Sequence, residues 1–177
     1  MRLFVALPLP APVVETLTGL TGGIPGARWV PPENLHLTLA FIGEVDGGAA
    51  AELAEALEGV RSPPFTLHLQ GIGTFDRGRS PRALWIAAPR EAALVQLQGR
   101  VISAIEAAGL EPERRRFTPH VTLARLKHPD PARLGRFIQA HNLIQTPPFT
   151  VDEFCLFSSH LRPDGPSYRR EAEYPFG

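Results

Sequence analysis

Two short stretches of the chain alternate polar and apolar positions in the same way: His36-Leu37-Thr38-Leu39-Ala40-Phe41 and His120-Val121-Thr122-Leu123-Ala124-Arg125. In a strand, successive side chains point to opposite faces. Each stretch therefore sets a histidine and a threonine on one face, and leucine or valine on the other. That pattern belongs to a sheet with a core behind it and an open front. Positions 36 and 120 are too far apart for one hairpin or helix, so the copies fall in two halves of the molecule.

The remaining pattern supplies elements around these strands. Residues 2–7 read as a strand, and 11–20 as a helix with Pro12 in its first turn. Arg28-Trp29-Val30 is a short extended piece, and the first histidine strand covers 35–42. A helix follows over 49–58, with Asp46 or a glycine at its start. Residues 65–70 alternate strictly and predict a strand continuing through Gly71-Ile72-Gly73-Thr74-Phe75, with Ala83–Ala87 as the next. Leu94, Leu97, Val101, Ile105 and Ala108 recur at helical spacing, which predicts a helix over 90–108 stopped by Gly109. A further helix is expected over 130–141, then a strand over 149–157 and an extended end over 168–174. Several strand connections are too short for crossovers, so the expected fold is α+β: antiparallel sheets with helices outside.

Composition narrows the function. A chain of 177 residues, 44% hydrophobic, can bury one sizeable core, and residues 1–177 read as a single domain with no linker. Eighteen basic and eighteen acidic residues leave no net charge, so long nucleic acid would not be held by a global field. Cys155 is the only cysteine, which excludes an internal disulfide and fits a reducing, cytoplasmic setting. The apolar start is too short for a signal peptide, and no run is long enough to span a bilayer.

The chemistry concentrates on the repeated stretch. No glycine loop precedes a helix in the manner of a phosphate cradle, and nucleophilic serine or cysteine motifs are missing. Each histidine has a threonine two positions on, where a metal site would want a second ligand, so no metal or cofactor is expected. Two facing histidines suit acid and base work. Opening a cyclic phosphate needs one imidazole to take a proton from water and another to give one to the departing ribose oxygen, from opposite sides of phosphorus. Unperturbed values near ~6.5 would let one neutral and one charged ring coexist near neutral pH.

The paired motifs resemble the two-histidine phosphoesterase superfamily, and within it the RNA 2′,3′-cyclic phosphodiesterase (LigT-like) branch. Arg2–Leu7, Trp29-Val30, Leu39–Val45, Gly71–Phe75 before Leu84-Trp85, Phe117–His120 and the tail Leu156–Leu161 with Gly165 and Tyr168 are similar to that branch as well. The resemblance implies two pseudo-symmetric lobes, each an antiparallel sheet backed by helices, around a V-shaped cleft. It implies His36 as proton donor to the leaving 3′ oxygen and His120 as proton acceptor from water, giving a 2′-phosphate. Thr38 and Thr122 would hold the phosphate, Arg125 would contact phosphate or substrate, and Phe41 would stack on a base. Strict alternation would turn Phe41 and Arg125 away from the histidines, so these roles require a twist or bulge near Ala40 and Ala124. Substrates would be RNA 3′ ends or small cyclic nucleotides, acted on by a monomer. The alternatives are a phosphodiesterase or reversible ligase of 2′–5′ linkages and a nucleotide-binding module without catalysis.

Other residues read as ordinary structure. His68, His128, His141 and His160 are expected to be solvated or hydrogen-bonded, Trp29 and Trp85 to lie in the core, and Cys155 to be an inert packed thiol. Arg114-Arg115-Arg116 reads as a solvated loop. These three, with Arg77, Arg79 and Arg82, are the remaining candidates for guiding an RNA end.

Overall fold

The structure is a computed structural model and describes residues 1–176. From the amino terminus the chain forms β1 (Arg2–Pro8), α1 (Ala11–Thr18), β2 (Arg28–Trp29), β3 (His36–Glu44), α2 (Gly47–Leu57), β4 (Phe65–Leu67) and β5 (Ile72–Arg77). It continues with β6 (Ser80–Ala87), α3 (Ala92–Ala107), β7 (His120–Arg125), α4 (Pro131–His141), β8 (Phe149–Val151), β9 (Glu153–Arg162) and β10 (Gly165–Pro175). All strand pairing is antiparallel, which makes the fold α+β as expected.

The large sheet runs β10-β9-β1-β3-β7-β6-β5, with β2 also paired to β7. The two histidine strands are the central neighbours, and they meet only at Leu37↔Val121. That single pair joins two half-sheets. Its antiparallel register sets His36 across from Thr122 and His120 across from Thr38. Leu37 and Val121 themselves are fully buried.

Behind the sheet the core collects Leu3, Val5 and Leu7 of β1 with the apolar residues of β3 and β7 and the helices. Helix α3 presents Leu94, Leu97, Val101 and Ile105, the spacing seen in the sequence, and all four are fully buried. Each such side chain is worth about 1.5–3 kcal/mol of transfer free energy. The Asp46 carboxylate caps α2 by accepting from the Ala49 N–H at 2.7 Å, and Asp130 caps α4 from the Ala132 N–H at 3.2 Å.

Two expected strands divide. The run 65–75 forms β4 and β5 in different sheets, because the chain turns at Gly71, where φ is +88°. There the Gly71 carbonyl accepts from Ala87 N–H, while Leu69 N–H is taken by the Thr146 hydroxyl at 2.9 Å. The run 149–157 likewise breaks at Asp152, so β8 pairs with β4 in a small separate sheet while β9 joins the large one. The predicted helices are present, with no end displaced by more than two residues.

Candidate active site

The two histidine strands share an irregularity. Along β3, Ala40 pairs with Val5 and Thr38 with Ala6, so Leu39 has no partner on β1. Along β7, Ala124 pairs with Leu84 and Thr122 with Trp85, so Leu123 has none on β6. Each is the extra residue of a β-bulge, beside Ala40 and Ala124 where a twist or bulge was expected. The bulge resets the alternation: Leu39 and Ala40 are both buried before the exposed Phe41, and Leu123 and Ala124 before the exposed Arg125. The bulges also leave backbone groups to satisfy. The Leu39 carbonyl accepts from the Gln98 side chain of α3 at 3.3 Å, and the Leu123 carbonyl from Val30 N–H at 2.9 Å.

The histidines are posed alike. His36 Nδ1 lies 2.7 Å from the Asn34 carbonyl, and His120 Nδ1 lies 2.6 Å from the Thr118 carbonyl, each two residues upstream. A carbonyl can only accept, so Nδ1 carries the hydrogen and Nε2 is left for chemistry. Asn34 is itself pinned, since its side-chain amide donates to the Pro166 carbonyl at 2.9 Å. Thr38 and Thr122 are half-buried on the same face as the histidines.

Rings from the strands on either side flank this pair. Phe4 of β1 stacks on His36 at 4.9 Å between centroids, Phe157 of β9 stacks on Phe4 at 5.2 Å, and Tyr168 of β10 stands edge-on to His36 at 5.3 Å. On the other side, Trp85 of β6 lies 6.3 Å and Phe75 of β5 4.8 Å from His120. Phe41 is 49% exposed and lies 6.0 Å from Phe4, the ring that supports His36. Trp85 is therefore a support of His120 as well as a packing residue, and Gly73 makes room for it. A β-carbon on Gly73 would stand 2.4 Å from the indole ring. Phe4, Phe75, Trp85, Phe157 and Tyr168 all fall in the family-like stretches of the sequence, but no local pattern gives any of them this role.

The electrostatics correct one expectation. Burial holds His36 down to about 4, and the nearby His120 and Arg125 add to that, against a smaller upward pull from the Asn34 carbonyl. His120 is also lowered, first by burial and then by Arg125, with the Thr118 carbonyl opposing. Both rings of the free protein are thus neutral near pH 7, rather than one neutral and one charged. The aromatic surroundings that hold the rings are what remove their water. The charge of Arg125 lowers both rings.

The other expected roles divide plainly. His68 Nε2 meets the Gln70 side chain at 3.1 Å, His160 Nε2 meets the Ser158 hydroxyl at 2.9 Å, and His141 packs on Phe137. Cys155 is fully buried, and burial pushes its thiol up to about 11. Arg114 and Arg115 pair with Glu106 and Glu113 at 3.5 and 2.6 Å. Among the described residues, no three His, Cys, Asp or Glu side chains group as a metal site would require, and no helix is long and apolar enough to cross a membrane.

Known proteins are similar to this chain in sequence and in fold. The family model of the 2′-5′ RNA ligase superfamily matches residues 9–162. An RNA 2′,3′-cyclic phosphodiesterase of Archaeoglobus fulgidus is 32% identical, over 96% of this chain and 97% of that protein. One of Geobacillus stearothermophilus is 34% identical over 97% of this chain, which spans only 56% of that relative's length. Among solved structures, a Thermus thermophilus protein superimposes with a TM-score of 0.78 at 28% identity, covering 99% of this chain and 98% of that one. Escherichia coli LigT in complex with 3′-AMP gives 0.77 at 28% identity, with 99% and 97% covered. With two histidine strands, their matching bulges and a family model spanning most of its length, the chain belongs to the 2′-5′ RNA ligase superfamily.

Proposed function

We propose that the chain hydrolyses RNA or nucleotide 2′,3′-cyclic phosphate ends to the 2′-phosphate, using its two histidines as acid and base and no cofactor. The observation that carries this reading is the matched pose of His36 and His120, each with Nδ1 tied to a carbonyl and Nε2 left free. His120 takes a proton from water as the water oxygen attacks phosphorus, and His36 donates a proton to the 3′ oxygen as its bond to phosphorus breaks. Such transfers are worth roughly 10²–10⁴-fold each. Thr38 and Thr122 hold the non-bridging oxygens, Arg125 balances the phosphate charge, and Phe41 stacks on the terminal base.

The lowered pKa values make the substrate part of the charging step. An anionic phosphate between the rings favours an imidazolium, so binding gives His36 the proton it later donates. The relatives named above as RNA 2′,3′-cyclic phosphodiesterases support the substrate class. The site draws on both half-sheets, which supports one bilobal domain acting as a monomer, and the single buried thiol supports a cytoplasmic setting.

The family description favours one second reading, in which a ribose 5′ hydroxyl replaces water and a 2′–5′ linkage is made or cut. Incubation in chelator with a nucleoside 2′,3′-cyclic phosphate and, separately, a 2′–5′ dinucleotide tests both. Conversion of the first to a 2′-phosphate is expected; turnover of the dinucleotide alone would replace hydrolysis with the second reading.

A further inference from the structure

We propose that the groove between the β5–β6 turn and the loop from β7 to α4 binds the phosphodiester backbone of single-stranded RNA adjoining the reactive end. This rests on the cyclic phosphodiesterase reading for its substrate and adds a second contact region to it. The groove is lined by Arg77, Arg79, Ser80, Pro81, His128 and Pro131, among others. Neither Arg77 nor Arg79 is in an ion pair among the described residues. Of the carboxylates nearest in sequence, Asp130 caps α4 and faces Arg133 at 3.9 Å, while Asp76 accepts from the Thr74 hydroxyl at 3.0 Å and keeps its charge, which leaves the two arginines in excess. In a chain with no net charge, such a local surplus decides where an anion settles.

The groove lies on the same hairpin as a ring that touches His120. Phe75 is 38% exposed, stands edge-on to His120, and precedes Arg77 by two residues on β5, a separation of about 7 Å at strand rise. The chain leaving β7 is tied to the same hairpin, since Leu126 N–H donates to the Arg82 carbonyl at 2.9 Å. Both walls are therefore fixed relative to His120. An open ring followed by unpaired arginines is what single-stranded nucleic acid asks for: bases stack on the ring and the guanidinium forks take backbone phosphates. A mononucleotide would reach the histidines without touching the groove.

The test is equilibrium binding, which needs no turnover. A fluorescent oligoribonucleotide ending in 2′-phosphate is titrated by anisotropy over a range of salt, and a nucleoside 2′-phosphate is titrated by calorimetry. For the Arg77→Ala/Arg79→Ala protein, the slope of log affinity against log salt should become shallower by about 1.4 for the oligonucleotide, two phosphates at ~0.7 each. Affinity for the mononucleotide should stay the same. Arg77→Lys/Arg79→Lys keeps the charges and should keep most of the slope, which separates lost contacts from a misfolded hairpin. An unchanged slope in the alanine protein, an equal loss for the mononucleotide, or displacement of the RNA by an equally charged acidic peptide would overturn the proposal. A protein that shows the expected slopes but does not hydrolyse cyclic phosphate would keep the groove and lose the catalytic reading.

Discussion

Leu39 and Leu123 are equivalent residues, each the unpaired member of a β-bulge three positions after a histidine. Because of them, Phe41 and Arg125 are exposed five positions after their histidines, when plain alternation would have sent them toward the core. The two bulges are held by different means: a side chain, Gln98, on the first strand and a backbone N–H, from Val30, on the second.

That difference makes the first bulge open to mutation. Gln98→Leu leaves the Leu39 carbonyl without its partner at nearly constant volume, and the expected cost is about 1–2 kcal/mol in urea unfolding. KM for a cyclic mononucleotide should rise as Phe41 loses its fixed position, with kcat less affected. Unchanged stability and unchanged KM together would show that the bulge does not depend on Gln98.

The low pKa of His36 predicts proton uptake. In the free protein His36 titrates at about 4 and is neutral at pH 6–7, whereas an anion beside it raises that value. Between the free and the bound value, binding a phosphodiester, which does not itself titrate in that range, takes up protons, and affinity falls as pH rises through that window. Calorimetry at pH 6 in two buffers of different ionisation enthalpy measures the number taken up. A value approaching one is expected, and zero would mean that the substrate does not charge the acid.

Gly73 is a position where a methyl group should cost activity through a neighbour. A β-carbon there falls 2.4 Å from the Trp85 ring, so Gly73→Ala must displace a side chain that packs on both Phe75 and His120. Displacement of the base by about 1 Å can cost on the order of 10²-fold in rate. The expected outcome is a large loss of kcat with a changed tryptophan fluorescence maximum. Full activity with an unchanged spectrum would show that Trp85 does not support His120.

Much of this was legible from pattern. The repeated stretch, the core face of α3 and the capping residues Asp46 and Asp130 all stand where local rules put them. A bulge in each histidine strand was also deducible, because the alternation and the expected roles of Phe41 and Arg125 conflicted. What was not legible depends on neighbours distant in sequence. No local signal shows that Phe4, Phe157 and Tyr168 gather round His36 from three other strands, and hence none shows that its pKa is low. The split at Gly71 left one mark, since Leu67 and Leu69 hold odd positions and Ile72 an even one, but the choice of sheet on either side is set by distant neighbours.

His36 and His120 are proposed to do opposite proton transfers on opposite sides of one phosphorus. The most direct measurement compares His36→Ala and His120→Ala on two substrates: a nucleoside 2′,3′-cyclic phosphate and its analogue with sulfur at the bridging 3′ position. A thiolate leaves without needing a proton, so the analogue dispenses with the acid but still needs the base. The expected result is that both variants lose at least ~10²-fold on the oxygen substrate, while the analogue restores turnover to His36→Ala only. Restoration of His120→Ala instead would reverse the two roles, and an active His120→Ala enzyme on the oxygen substrate would contradict paired-histidine catalysis altogether.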